Sequence, residues 1–490
     1  MHSQLPRFSH RPLIRLSLSA TVLEIALCSV LTAGCGGSAR TDTSLSGNTS
    51  VTLLASSTAN DELSQFGLTL NSLILTSQTG KSVSVLSTPQ YAEFIHLNGG
   101  LEPLTTVSVP QGVYTSATVS IGRALFTCVG LVPATGGLYT STFAYGQTPS
   151  ANVTAILPSP ITITGAAMGL QMNLQVSQSA SFSNCPGGTG DTYLITPTFN
   201  ITPLALSAGP ANSGNGNATD LHGLIGSANA GAAGFSVNSV DGQTWRVTSS
   251  GSTLYQGVSG PSQLAAGMPV DMDASIQDDG SLLASRVAVY DTSSLNLTID
   301  SGPLLFDSGY EPMFITFVVG GEGPLNGPNS DYYSFGDAVF QTSGQLTNIQ
   351  TVPFTATFNA ANMVAGQNVF VSTNSLIDSG GFPYTPADTI TLIPQTINGT
   401  VSAVGSEGGF TTYTVTLAPY DLFPALAVQQ GQTTLLTDPS TVEVYVDSNT
   451  QMVTANPIGV GSVVRFYGLV FNDSGTLRMD CAQINDGVAE

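Results

Sequence analysis

Three properties of the chain predict an all-β protein of several modules, each a sandwich or a barrel. Short apolar stretches recur between turn residues along the whole length, and helix-period patterning is nearly absent. Charged residues make up only 8 % of the 490 positions while Gly, Ser, Thr and Asn are abundant, which favours short strands and turns over solvated helices. A chain of this length outgrows one small core, so several modules are expected.

The first element decides where the others reside. A basic start (Arg7, Arg11, Arg15) leads into an apolar run that ends in Leu31-Thr32-Ala33-Gly34-Cys35-Gly36-Gly37. This is the layout of a secretory leader, and its small-small-Cys ending resembles the lipobox of bacterial lipoproteins. The resemblance implies cleavage after residue 34, a lipidated Cys35, and attachment to the outer membrane at its periplasmic or cell-surface face. Glu24 interrupts the apolar run, and Thr32 stands where that family usually has Leu. The other readings are an ordinary cleaved leader and a retained membrane segment. The latter needs roughly 18 to 20 consecutive apolar residues, and no such run occurs.

Without residues 1–34 the chain keeps 7 basic and 30 acidic residues, a net charge of −23. A surface this acidic repels phosphate backbones, which argues against a nucleic-acid partner. Cys128 and Cys185 fall in one expected domain and are the disulfide candidate in an oxidising compartment. Cys481 is then the odd thiol, read as a buried strand residue.

Residues 35–50 are small and polar and read as a flexible tether. The sandwich is expected over 51–206, from strand runs such as Phe66 to Thr76, where Leu68 and Leu70 and then Leu73 and Leu75 alternate with a change of face, a strand with a bulge. Leu97-Asn98-Gly99-Gly100, Val109-Pro110-Gln111-Gly112-Val113-Tyr114, Met168 to Leu174 and Tyr193 to Pro197 follow. Their succession resembles an uncharacterised family of bacterial lipoproteins with an immunoglobulin- or transthyretin-like sandwich. Its mark is a Pro-x-Gly-x-Tyr corner, in which Pro fixes φ, Gly supplies an unusual φ and Tyr anchors the next strand. The Asp-Ala-Pro segment usual in that family is replaced here by Ser56-Ser57-Thr58-Ala59.

Residues 207–219 read as a Gly/Asn/Ser linker. Beyond them a weak repeat recurs three times. A glycine stands three residues before an inward Val in each copy: Gly267 before Val270, Gly366 before Val369, Gly461 before Val464. A glycine turn and a returning strand follow each time. The copies are assigned to 220–291, 292–396 and 397–490, opened by Gly223-Leu224-Ile225-Gly226, by a stretch around Leu295 to Ile299, and by Gly399 to Val404. The pattern is similar to a second uncharacterised family, of small barrels like the oligonucleotide/oligosaccharide-binding (OB) fold. The first copy matches best and the second, with insertions, least.

The search for chemistry yields little. Gly80-Lys81-Ser82 ends like a phosphate loop, but Leu75 occupies the place of its first glycine, so it reads as a hairpin turn. Gly320-Gly321-Glu322-Gly323 has the wrong spacing for a dinucleotide site and reads as a loop. No Gly-x-Ser-x-Gly elbow occurs. Only His96 and His222 remain in the mature chain, and without a Cys-x-x-Cys pair zinc has no ligand set.

Asp271 and Asp273 share one strand face, with Asp278 and Asp279 at the next turn. Paired carboxylates suit glycoside hydrolysis, whereas outward strand aspartates and an Asp-Gly turn explain them without a reaction. Weak calcium binding there, or at Glu322 and Asp331, is the metal alternative. Trp245, Tyr332 and Tyr333, with Phe335 beside them, are the candidate stacking platforms for a sugar ring. The expected function is therefore non-enzymatic, binding or scaffolding for a glycan or protein partner, with no cofactor, no metal and no catalytic residue. An extracellular polysaccharide-acting enzyme using Asp271 and Asp273, and a purely structural envelope protein, are the alternatives.

Overall fold

A computed structural model describes residues 45–487 except 59–62, 96, 98–99, 134–138, 149–150, 183–192, 207–215, 229–233, 240, 290–297, 307–315, 324–326, 343–350, 374–384, 418–422, 425–435 and 453–456. The described residues are all-β, as predicted, apart from short helical turns such as Val176–Ser179 and a 3-10 turn at Pro261–Gln263. None of their helices is long and apolar enough to cross a membrane.

The sandwich opens the described chain. Its first sheet has the order β13-β10-β1-β5, with β1 (Asn48–Ser57), β5 (Glu102–Pro110), β10 (Ala167–Leu174) and β13 (Phe199–Leu204). The second is built on β2 (Leu63–Ser77) and β6 (Gly112–Pro133), flanked by β3 (Ser82–Leu86) and β7 (Tyr139–Thr148). Against these lie β4 (Gln90–Glu93), β8 (Ala151–Ala155) and β9 (Ile161–Ile163), while β11 (Ala180–Phe182) and β12 (Tyr193–Ile195) form a separate ribbon. Val51, Leu53, Leu170 and Met172 of one sheet meet Phe66, Leu68, Leu73 and Val119 of the other in one buried cluster. The expected bulge in β2 is present: its pairing with β6 shifts between Leu70 and Ser72, so Leu70 and Leu73 can both point inward.

The Pro-x-Gly-x-Tyr corner works differently from the expectation. Tyr114 Oη donates to Pro110 O at 2.8 Å and ties the two strands together, but Gly112 is not among the glycines with left-handed φ. The tyrosine bond, and not an unusual φ, makes the corner.

The first barrel closes in the order β14-β15-β16-β18-β17, from β14 (Asn217–Ala228), β15 (Gly234–Ser239), β16 (Thr244–Gln256), β17 (Pro269–Ile276) and β18 (Leu282–Val289). Numbered within the module this is 1-2-3-5-4, with strands 3 and 5 parallel, the connectivity of a small OB-like barrel.

The second copy forms one sheet in the order β22-β25-β23-β19-β20-β21-β24. Its strands are β19 (Thr298–Phe306), β20 (Thr316–Gly323), β21 (Gly327–Ser334), β22 (Val339–Thr342), β23 (Asn368–Thr373), β24 (Thr385–Pro386) and β25 (Thr389–Leu392). The consecutive strands β21 and β22 flank the short break 335–338, so together they occupy the place of an interrupted third strand, and β22 runs parallel to β25.

The third copy has β26 (Gln395–Glu407), β27 (Phe410–Leu417), β28 (Thr441–Val446), β29 (Gln451–Met452), β30 (Val463–Asp473) and β31 (Thr476–Asp486). Its order is β28-β27-β26-β30-β31-β29, and a parallel pairing of β28 with β31 closes the ring.

One hydrogen-bond pattern recurs in all three copies and explains the repeated glycine. Gly267 N donates to Ile225 O (2.7 Å), Gly366 N to Leu304 O (2.9 Å) and Gly461 N to Val401 O (2.8 Å). Each of these glycines has φ near +90°, at +87°, +94° and +88°, a conformation that costs a residue with a Cβ about 1–2 kcal/mol. Two residues upstream of each acceptor lies the partner of the inward Val: Gly223 faces Val270, Gly302 faces Val369 and Gly399 faces Val464. The second copy therefore opens on β19 through Gly302, somewhat later than the stretch the sequence suggests.

The modules are fused and are not beads on a string. Leu54 and Leu101 of the sandwich belong to the hydrophobic cluster of the first barrel. Likewise Leu469 and Phe471 of β30 belong to the cluster of the second copy.

Candidate functional site: a buried ion triad on the first barrel

In β17 the inward residues are Val270, Met272, Ala274 and Ile276, all in the barrel cluster. Alternation therefore turns Asp271 and Asp273 to the outer face. In β18 the inward set is Leu282, Ala284, Val287 and Val289, and a bulge opposite Asp273 and Ala274 puts Arg286 outward. Register sets Arg286 directly opposite Asp273.

The result is an Arg-carboxylate triad. Arg286 Nη2 donates to Asp271 Oδ2 at 2.5 Å, and Nε donates to Asp273 Oδ2 at 2.8 Å. Although they lie on a barrel exterior, Asp271, Asp273 and Arg286 are only 0 %, 4 % and 1 % exposed. Burial by itself would lower the Arg286 pKa, but Asp271 and Asp273, with a further contribution from Tyr467, hold it well above its ordinary value. The guanidinium is permanently charged, and its charge is taken up by the two acids.

The aspartates do face outward from the barrel, as the strand alternation predicts, but they are buried there. Two carboxylates anchored on one guanidinium and shut from solvent offer neither a general acid nor a water-activating base to a substrate. Asp278 and Asp279 do lie at an exposed turn. Asp279 accepts from the Ser281 hydroxyl at 2.6 Å and pairs with Arg246 at 3.4 Å. The Ser281 hydrogen bonds lower its pKa.

Of the aromatic candidates, Trp245 and Tyr333 face inward. Trp245 is 5 % exposed in the barrel cluster, and its Nε1–H donates to Pro103 O of the sandwich at 3.0 Å. Tyr333 is 1 % exposed, and with Phe335 it belongs to the second cluster. Neither Trp245 nor Tyr333 presents a ring face to solvent, because each completes a core that its own strand helps to build. The Tyr332 side chain lies outside the described residues, as do those of Glu322 and Asp331, and His96, Cys35 and Cys185. Cys128 sits in β6 opposite Leu63, its side chain likewise undescribed. Lys81 follows a hairpin turn with Gly80 at φ +81°, as expected. Among the described residues no group of three His, Cys, Asp or Glu could hold a metal ion. Cys481 is buried and free, and burial raises its pKa well above the ordinary thiol value.

Two further polar clusters were not visible in the sequence. At the joint between sandwich and first barrel, Glu93 Oε1 accepts from Phe66 N (2.6 Å) and Ile95 N (3.0 Å), while Asp241 Oδ2 accepts from Glu93 N (2.8 Å). Gln243 Nε2 donates to Tyr91 O at 2.7 Å, and a Cβ on Gly280 would collide with Thr106 of β5. On the third barrel Arg478 lies among Glu443 (3.4 Å), Asp473 (3.3 Å) and Glu407 (3.8 Å), over the rings of Phe354 and Tyr445. Both clusters hold modules or strands together.

A signal for Arg286 did exist. It is a lone basic residue in the apolar run Leu282 to Val289, one strand away from Asp-x-Asp, in a chain with few cations. A charge in such a run needs a partner.

No curated protein matches the chain. A family described as a domain of unknown function, DUF5666, matches residues 222–288, which covers the first barrel from His222 in β14 to Ala288 in β18 and includes the whole triad.

Proposed function

We propose that the protein is a lipid-anchored, non-enzymatic component of the cell envelope that binds or scaffolds a glycan or protein partner. The observation that carries this reading is the triad: the pair of carboxylates best suited by sequence to hydrolysis is spent on holding a buried guanidinium. Trp245 and Tyr333 are built into cores and offer no stacking face, so neither serves as the glycan platform. Partner binding then falls to exposed loop tips, and Cys35 carries the anchor.

Intact-mass analysis of the protein purified from its native membrane tests the anchor. A chain starting at Cys35 with added acyl mass is expected, and a chain starting upstream without it contradicts the reading. A glycan array and a partner pull-down with the same material test the binding role.

A further inference from the structure

We infer that the outer face of the fourth and fifth strands of this barrel type is a docking surface for a second barrel of the same type, and that the first and third barrels of this chain are paired through it. In both barrels part of the outer face of these two strands is buried, although Ser285 on β18 and Thr476 on β31 are exposed and Leu469 and Phe471 on β30 pack into the second copy. On β17 and β18 the outward set is Asp271, Asp273, Arg286 and Ala288, and on β30 and β31 it includes Arg465, Tyr467, Asp480 and Gln483, all buried. The inward sets, by contrast, are apolar: the first-barrel cluster already described, and on the third barrel Val464, Phe466, Leu477, Met479 and Cys481. An outer face can be buried only by another module.

The burial is selective. On β16, the third strand of the same barrel, the outward residues Thr244, Arg246 and Thr248 are exposed.

Register aligns the two faces. Gly223 opposite Val270 matches Gly399 opposite Val464, so Asp271 corresponds to Arg465 and Asp273 to Tyr467. Asp273 opposite Arg286 matches Tyr467 opposite Gln483, so Arg286 corresponds to Gln483. The residue of the third barrel that acts electrostatically on the Arg286 guanidinium is Tyr467, the counterpart of Asp273. The fourth strand of the third barrel thus faces the fifth strand of the first, each through the corresponding face of its barrel. The residues differ, and Arg465 carries the charge opposite to that of Asp271, which suits two copies that must meet each other in one orientation. An ion triad at such a place fixes register at a cost in desolvation, the best attested use of buried charge.

The test is hydrogen exchange followed by mass spectrometry on the full chain. Arg286→Met is expected to speed amide exchange at least ten-fold in 463–486 as well as in 269–289. Tyr467→Ala is expected to do the same in 269–289, reading the contact from the other side. Arg246→Ala, which removes an exposed pair on the same barrel, is expected to change neither segment. Should Arg286→Met fail to fold, Tyr467→Ala decides alone. Acceleration confined to the mutated barrel overturns the inference.

Discussion

Replacing Arg286 by Met should be among the most damaging single changes in the first barrel. The substitution keeps most of the buried volume but removes the donors at 2.5 Å to Asp271 and 2.8 Å to Asp273, leaving two carboxylates in a place sealed from water. Breaking a buried pair from one side costs about 3–5 kcal/mol, because the orphaned charge keeps its desolvation penalty. Both carboxylates lose their guanidinium donor here, so a loss within that range is expected. The triple variant Asp271→Leu, Asp273→Leu, Arg286→Met removes all three charges and should return to within about 1–2 kcal/mol of the parent, since apolar groups of similar size replace a buried triad at little net cost. Urea unfolding with far-ultraviolet circular dichroism reads both. If Arg286→Met costs under about 1 kcal/mol, or the triple variant is worse than the single one, the triad does not have the structural weight given to it.

Gly461→Ala should destabilise the third barrel by about 1–2 kcal/mol through backbone strain alone, because φ is +88° and no atom lies within 4 Å of the added Cβ. Gly223→Ala acts by collision instead, its Cβ landing 2.3 Å from Asn238 O, so thermal unfolding should register a loss of about 1–3 kcal/mol there too. Trp245, the sole tryptophan, should emit in the blue and resist acrylamide quenching, and Trp245→Phe should cost about 1–3 kcal/mol by leaving Pro103 O without its donor. Cys481 should fail to react with a thiol reagent at pH 8 until the chain is denatured. Red-edge emission or rapid labelling would contradict these two placements. Hydrogen bonds from Ser440 and then Thr441 lower the Asp438 pKa, so its carboxyl should titrate below the ordinary aspartate value of about 3.9. Its stabilising share is then present above that value and lost as pH falls through the lower folded midpoint. Ser440→Ala should move the midpoint up, as read by carboxyl chemical shifts.

Alternation made the inward faces legible: Leu68, Leu70, Leu73 and Leu75 could be placed with their bulge, and the three glycines before Val270, Val369 and Val464 marked the repeat because each needs a left-handed φ. Alternation says nothing of what covers an outward face. Asp271 and Asp273 are therefore legible only as outward residues, and nothing in the pattern pairs them with Arg286. Gly302 escaped notice for a related reason. It is followed by Pro303, which blurs the strand signal, and only its pairing with Val369 reveals its place. The Tyr114 corner was found through its residue types, but its mechanism, a hydroxyl bond to Pro110 O, required coordinates.

The central claim is that the acidic pair on β17 holds the fold and does no chemistry. Incubating the purified protein with a panel of envelope and extracellular polysaccharides and measuring new reducing ends tests it most directly. No release above the buffer control is expected from the parent or from Asp273→Asn. Release by the parent that disappears in a folded Asp273→Asn variant would contradict the account.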